Sequence, residues 1–116
     1  MDEVLVERVL RAVEQVPRGR LVAYGDIASL VGTGPRQVGS IMRHWGGNVA
    51  WWRVTNSYGN LPLHLCDEAR ERWAAEGILL KRNGRGAPMR EYRADLALLA
   101  ADWERACADL PDAGTS

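Results

Sequence analysis

The side chains best suited to nucleophilic or metal chemistry in this sequence are two cysteines and two histidines. Cys66 and Cys107 lie far apart without Cys-x-x-Cys spacing, and only His44 and His64 accompany them, so neither a zinc site nor a disulfide scaffold is indicated. Two acidic residues follow Cys66 directly and oppose formation of a thiolate there. We therefore predict two reduced structural thiols, no metal site and no cofactor.

Two adjacent tryptophans in the segment NVAWWRVTNSYG (residues 48–59) offer a different kind of chemistry. Trp51 and Trp52 precede Arg53 in a chain of 116 residues that contains five tryptophans and no phenylalanine. An indole carries no group that ionises to a nucleophile, but its face can stack on a nucleobase. The pair is therefore either core filling or the wall of a site that binds without reacting.

Charge is segregated along the chain although the net charge is zero. Residues 17–65 carry five basic and one acidic side chain, a net +4, and residues 81–93 carry the same numbers. Nine of these ten basic residues are arginines, whose planar guanidinium suits phosphates and base edges. Either block alone would be an ordinary solvated surface, but two such blocks around an aromatic cluster indicate a nucleic-acid partner.

The first positive block contains a predicted helix-turn-helix. Apolar spacing over 27–31 indicates one helix, the sequence Gly-Thr-Gly at 32–34 interrupts it, and Pro35 begins a second helix. The face of this second helix opposite its apolar stripe carries side chains able to bond phosphates or bases. They are Arg36, Gln37, Ser40 and Arg43.

The other segments complete a winged helix-turn-helix. A first helix is predicted over 3–16 with Asp2 as its N-cap, and a helix over 67–77 is expected to end at Gly77. WWRVT is strand-like and NSYGN is a turn. Hairpin chemistry at 83–86 places Arg85 at the tip of a wing, and one more helix is predicted over 95–108.

These elements predict an α+β, mostly helical fold of the winged helix-turn-helix class. We expect a single domain over residues 1–110 and a flexible tail over 111–116. The sequence has no apolar run near 18 residues, and its N-terminal segment is acidic and amphipathic. We therefore expect a cytoplasmic monomer without membrane contact.

Four segments of this chain resemble one family. The segments are AYGDIASLVG, RQVGSIMR, VAWWRV and AAEG. They are similar to the C-terminal domain of O6-alkylguanine-DNA alkyltransferases and, more closely, to alkyltransferase-like proteins, and the resemblance covers about residues 4–93. In the transferases the third segment reads Pro-Cys-His-Arg, where the cysteine accepts the alkyl group and the histidine, through water and a glutamate, makes it a thiolate. Here the four positions are Ala50, Trp51, Trp52 and Arg53, so the resemblance implies a protein that is not an enzyme.

The resemblance also implies roles for single residues. Tyr24 would rotate the target nucleotide out of the duplex from the minor groove, and Arg36 would fill the vacated stack. Trp51 would line the pocket for the alkylated guanine, and His64 is a further pocket candidate. Trp52 is assigned to the pocket as well, although core packing is an equal alternative.

Supporting roles follow for residues around the pocket. Arg53 matches an arginine that pins the recognition helix, and Asn48 would brace the turn between that helix and the pocket. Glu76 aligns with the family's glutamate and is either a surface carboxylate at a helix end or a support for the pocket wall. We expect Gln37, Ser40, Arg43 and Arg85 to contact the DNA backbone.

The functional hypothesis is a non-enzymatic sensor that binds duplex DNA, flips O6-alkylguanine and hands it to nucleotide excision repair proteins. The main alternative is a winged-helix transcriptional regulator that selects a DNA sequence and ignores alkylation. An active transferase using Cys66 and a protein-interaction domain without DNA binding also stay open.

Overall fold

The computed structural model describes residues 2–111, and within this range the chain forms six α-helices and one two-stranded sheet. None of the helices in this range has the length and apolar character needed to cross a membrane. Most of the predicted tail, residues 112–116, lies outside the described residues. The helices are α1 (Glu3–Glu14), α2 (Tyr24–Val31), α3 (Pro35–Trp45), α4 (Cys66–Glu76), α5 (Met89–Tyr92) and α6 (Leu96–Ala106).

Helix α1 begins where its cap was predicted. The carboxylate of Asp2 accepts hydrogen bonds from the backbone N–H groups of Val4 (2.9 Å) and Leu5 (3.4 Å), which have no partner within the helix. The valines of α1 then pack against α2, α3 and α6. Asp95 caps α6 in the same way, so the predicted last helix is also confirmed.

Helices α2 and α3 form the predicted helix-turn-helix. Helix α2 ends at Gly32, whose φ of 90° is the left-handed conformation that only glycine adopts without strain. Pro35 is the first residue of α3, where its missing N–H group leaves no hydrogen bond unmade. Val38 and Ile41 of α3 are fully buried, which turns the opposite face of the helix to solvent.

The sheet is much shorter than the strand-like sequence suggests. Strands β1 (Val22–Ala23) and β2 (Val54–Thr55) pair in parallel, with Val22 opposite Val54. The prediction that WWRVT is one strand is wrong at its start, because Trp51–Arg53 forms a 3-10 turn. The carbonyl of Trp52 accepts a hydrogen bond from the indole of Trp73 (2.7 Å) instead of bonding to a neighbouring strand.

The predicted wing is a loop and not a β-hairpin. Helix α4 ends at Gly77 as expected, but residues 78–88 contain no strand. The backbone N–H of Lys81 donates to Gly86 (3.0 Å), and that of Ala87 donates to Gly59 (3.0 Å) in the turn after β2. Beyond the Lys81–Gly86 bond the second arm of the expected hairpin does not pair with the first, because Pro88 has no N–H and α5 begins at the next residue.

The buried apolar side chains form two clusters. The first lies between α1, α2, α3 and α6, and the second lies between α4, β1 and the loop after α4. Trp51 and Trp52 pack against the edge of the second cluster and stay half-buried. The resulting mostly helical α+β architecture places α3 and Trp51 at the wall of one cavity.

Candidate nucleic-acid interface

A cavity of about 420 Å³ opens between α3, the Trp51 turn and the segment that leads into α4. Its polar lining consists of side chains that the sequence had singled out: Tyr24, Arg36, Ser40, Arg43 and His64. Trp51 forms part of the wall. The volume is within the range of about 300 to 1,000 Å³ that is typical of small-ligand sites.

The apolar lining was missed by sequence reasoning. It consists of Met42 on α3 and three residues of the segment before α4, namely Leu61, Pro62 and Leu65. Met42 follows the buried Ile41 on α3 and reaches the cavity. The apolar run LPLHL between a turn and a helix was the available signal for the other three.

Tyr24 reaches the cavity because it is the first residue of α2, directly after β1. Burial raises the pKa of its phenol, so the hydroxyl stays protonated and uncharged at neutral pH. A neutral, half-buried ring can stand close to a phosphate without the repulsion that a phenolate would cause.

The cationic side of the cavity comes from α3. Arg36 lies in its first turn and Arg43 in its last, and both are exposed. Within residues 2–111 neither guanidinium makes an ion pair, unlike Arg11 or Arg53. Their charge is therefore available to an anionic ligand.

The other residues predicted to contact the DNA backbone do not all lie at this cavity. Gln37 is exposed on α3 but does not line the cavity, whereas Ser40 does. Arg85 lies in the loop after α4, beside a second cavity of about 540 Å³. The two cavities share Leu61 as a common wall.

Trp51 and Trp52 have different surroundings although they are adjacent in the chain. Their rings meet edge to face, with centroids 5.7 Å apart and planes at 84°. Trp51 lines the cavity, but Trp52 does not, so its assignment to the pocket is corrected in favour of packing. The guanidinium of Arg72 lies 4.8 Å from the Trp52 ring centroid, close enough for a cation–π interaction.

Glu76 is the centre of a buried hydrogen-bond network. Its side chain is only 4% exposed, so of the two alternatives left by the sequence, the surface carboxylate is wrong. The backbone N–H of Gly19 donates to Oε1 (2.8 Å), and the indole N–H of Trp52 donates to Oε2 (2.7 Å). Burial by itself would raise the pKa of Glu76, but these bonds and those from Arg53 together lower it below its usual value.

Arg53 holds different partners from those expected. It donates through Nε and Nη2 to Glu76 and through Nη1 to the carbonyl of Val16 (3.0 Å), beyond the end of α1. These bonds connect the Trp51 turn to the ends of α1 and α4, and they do not reach the recognition helix. Asn48 is exposed and makes no side-chain hydrogen bond within residues 2–111, so the bracing contact expected of it is not formed there.

Neither cysteine lines the cavity that contains Trp51. The thiol of Cys66 donates to the carbonyls of Pro62 (3.5 Å) and Leu61 (3.6 Å) and borders the second cavity. Cys107 is buried, and this burial is the main reason why the pKa of its thiol is raised. Residues 2–111 contain no group of three or more histidine, cysteine or acidic side chains that could hold a metal ion.

A comparison with protein-family models matches residues 5–82 to the DNA-binding domain of 6-O-methylguanine DNA methyltransferase. The chain therefore belongs to this family. It is 34% identical over 93 residues to the DNA base-flipping protein of Escherichia coli (strain K12), covering 75% of this chain and 71% of that one. It is 42% identical over 104 residues to alkyltransferase-like protein 1 of Schizosaccharomyces pombe, covering 83% and 92%.

Solved structures agree with this assignment. The fold matches S. pombe Atl1 in complex with damaged DNA containing O6-carboxymethylguanine, with a TM-score of 0.70 and 28% identity. A second S. pombe ATL–DNA complex matches with a TM-score of 0.68 and 29% identity. Each match covers 82% of this chain and 98% of the other, so most of this chain shares their fold.

Proposed function

We propose that this protein is a non-enzymatic sensor of alkylated DNA. It binds duplex DNA through α3 and receives an extruded O6-alkylguanine in the cavity beside Trp51. One observation carries the proposal: Tyr24, Arg36 and Trp51, which are far apart in sequence, line the same cavity. The S. pombe relative whose fold matches was crystallised with damaged DNA, which supports the same ligand class here.

The energetics of base extrusion are compatible with this cavity. Rotating a nucleotide out of the duplex costs a few kcal/mol, and less when damage has weakened its pairing. Stacking on an aromatic face returns about 1 to 3 kcal/mol per base. Trp51 offers such a face, and the apolar wall of Met42, Leu61 and Leu65 accommodates an alkyl substituent without leaving polar groups unpaired. Selectivity for the lesion therefore needs no chemical step.

Tyr24 and Arg36 are assigned to the extrusion step. The half-buried ring of Tyr24 would crowd the phosphate of the target nucleotide, and the unpaired guanidinium of Arg36 would enter the vacated stack from the minor groove. Ser40 and Arg43 lie beside the same cavity and would bind the adjacent backbone, together with Gln37 on the exposed face of α3. Arg85 would reach the backbone from the loop after α4.

The absence of alkyl transfer follows from the groups that face the ligand. Transfer needs a thiolate next to the alkylated oxygen, and the position of the family's nucleophile is occupied by an indole. Cys66 borders the other cavity and its thiol is bonded to two carbonyls. A protein that binds the lesion without removing it would hand it to another pathway. We assign that step to nucleotide excision repair proteins, with this chain acting as a cytoplasmic monomer.

The proposal is tested by binding to matched duplexes with and without one O6-methylguanine. We expect the wild type to prefer the lesion duplex and Trp51→Ala to lose about 5- to 150-fold of that preference, which corresponds to the stacking energy. Trp45→Ala is the matched control, because Trp45 is 44% exposed on α3 and does not line the cavity. Equal wild-type affinity for both duplexes would refute the sensor. Preference for one sequence regardless of alkylation would instead identify a transcriptional regulator.

A further inference from the structure

The orientation of Trp51 depends on packing and not on hydrogen bonds of its own. Within residues 2–111 the indole N–H groups of Trp52, Trp73 and Trp103 each have an acceptor, and that of Trp51 has none. A half-buried indole without such a bond is held only by its neighbours. The aromatic neighbour in contact with it is Trp52, edge to face at 5.7 Å.

Trp52 is fixed much more firmly than the residue that it supports. Its side chain donates to Oε2 of Glu76 at 2.7 Å, and its carbonyl accepts from the indole of Trp73 at 2.7 Å. The guanidinium groups of Arg72 and Arg53 lie 4.8 Å and 5.7 Å from its ring centroid. Both the ring and the backbone of Trp52 are therefore anchored to α4.

The acceptor in this anchor is itself immobile. Gly19 and Arg53 Nε reach Oε1 of Glu76 at 2.8 Å and 3.0 Å, and Trp52 and Arg53 Nη2 reach Oε2 at 2.7 Å and 2.8 Å. Because both oxygens already accept these hydrogen bonds, the carboxylate does not rotate to bind another group. A histidine at position 52 would exchange a proton with such a carboxylate, whereas an indole N–H only donates a hydrogen bond.

We propose that Trp52 is a positioning residue that holds the Trp51 indole in place at the cavity wall, so that the surface for stacking is formed before DNA binds. The link runs from Glu76 through the indole N–H to the Trp52 ring and, through the edge-to-face contact of the two rings, to Trp51. This inference rests on the proposed function for its effect on lesion binding, but the positioning itself is a property of the free protein. A surface that is ordered in advance loses less side-chain entropy when the ligand arrives.

The decisive variant is Trp52→Phe, which keeps an aromatic ring and removes the N–H that bonds Glu76. The matched control is Trp103→Phe, which removes an indole N–H bond of similar length, 2.9 Å to the carbonyl of Arg8, away from the cavity. Nuclear relaxation of the Trp51 indole N–H reports its order in the free protein. We expect the order parameter of the Trp51 indole N–H to be about 0.85 in the wild type and the control, and below about 0.6 in Trp52→Phe.

Lesion binding provides the second readout. The ratio of affinities for alkylated and unmodified duplexes should fall about tenfold in Trp52→Phe and stay unchanged in Trp103→Phe. If the wild type shows no lesion preference, the proposed function fails, while the relaxation experiment still decides the inference. An unchanged Trp51 order parameter in Trp52→Phe would overturn the positioning role even if lesion binding is observed.

A measurement on the wild type covers the case in which Trp52→Phe does not fold. The Trp52 indole N–H is bonded to a buried carboxylate, so it should exchange with solvent deuterium much more slowly than the Trp51 indole N–H. Equal exchange rates for the two indoles would show that Trp52 is not anchored, and the inference would then be wrong.

Discussion

Arg53 and Glu76 form a buried ion pair, with Nη2 and Oε2 2.8 Å apart and side chains that are 16% and 4% exposed. Arg53 also donates to the carbonyl of Val16, and Glu76 accepts from the backbone of Gly19. The pair therefore joins the turn that contains Trp51 to the segment after α1 and to the end of α4. Arg53 and Glu76 are 23 positions apart in the chain, and the bonds between them hold the turn that contains Trp51 against α4.

Removing one partner of this pair should destabilise the whole protein. Glu76→Ala leaves the guanidinium of Arg53 without its carboxylate in a largely buried position, which typically costs about 3 to 5 kcal/mol. The matched control is Glu68→Ala, because Glu68 meets Arg72 at 3.7 Å with both side chains more than half exposed. That pair should contribute less than about 1 kcal/mol. Urea unfolding measures both losses, and losses of equal size would contradict the prediction.

The same carboxylate should make stability depend on pH. Because the pKa of Glu76 is lower in the folded protein than its unfolded value of about 4.3, the unfolded state binds more protons between these two values. The stabilisation is therefore complete above the unfolded pKa and is lost as pH falls through the folded pKa. The difference in free energy of unfolding between wild type and Glu76→Gln should shrink as pH falls below about 4. A difference that stays constant down to full protonation would be inconsistent with this origin.

Local signals in the sequence were sufficient for five of the six helices, and only the short α5 was not predicted. Asp2 caps α1, Gly32 ends α2 and Gly77 ends α4, since each of these positions acts through hydrogen bonds or backbone angles within a few residues. These parts of the fold could be predicted because neighbours in the chain determine them. Tyr24 and Arg36 were assigned to one site by the family resemblance, and both line the same cavity.

Contacts between distant residues account for what was missed. The β-propensity of WWRVT was overridden by bonds from Trp52 to α4, whose residues lie more than 20 positions away. The wing was predicted from its turn residues, but a single backbone bond, from Lys81 to Gly86, joins its flanks, which otherwise bond to Gly59 and Tyr92. No local pattern reveals that Glu76 is saturated with donors.

Gly59 should be irreplaceable in the contact between the turn after β2 and the loop after α4. Its φ is 81°, and a Cβ there would lie 1.8 Å from the carbonyl oxygen of Ala87. The left-handed conformation alone costs a residue other than glycine about 1 to 2 kcal/mol. The clash adds to that cost, so Gly59→Ala should lower the free energy of unfolding by more than about 2 kcal/mol.

Gly39→Ala is the control for this substitution. Gly39 lies inside α3 with open space around its missing Cβ, so alanine should stabilise the helix by about 0.5 to 1 kcal/mol. The two variants should therefore shift the denaturant midpoint in opposite directions. A midpoint for Gly59→Ala within error of the wild type would show that the two loops do not pack as described.

Restoring sulfur at position 51 should not restore alkyl transfer. In Trp51→Cys the new thiol has an indole as its neighbour at position 52, and the carboxylate of Glu76 is already occupied by Trp52 and Arg53. Neither residue 52 nor Glu76 supplies a free base to ionise it, so incubation with O6-methylguanine DNA should add no methyl group to the protein mass. The wild type, which contains Cys66 and Cys107, controls for unspecific alkylation.

Trp51→Cys/Trp52→His supplies an imidazole beside Glu76 and is the variant in which transfer should first appear. Rapid methylation of the single variant would refute this account.

Binding to DNA should weaken steeply with salt. The guanidinium groups of Arg36 and Arg43 have no ion-pair partner within residues 2–111, and with two further basic contacts about four phosphates would be neutralised. Counterion release then predicts a slope of roughly −3 to −4 for log affinity against log salt, measured by fluorescence anisotropy between about 50 and 200 mM. Arg43→Gln should reduce the slope by about 1 for alkylated and unmodified duplexes alike. Arg105→Gln is the control, because Arg105 lies on α6 and is already paired with Asp102. A slope near zero in the wild type would exclude binding led by phosphate contacts, whatever the affinity for the lesion.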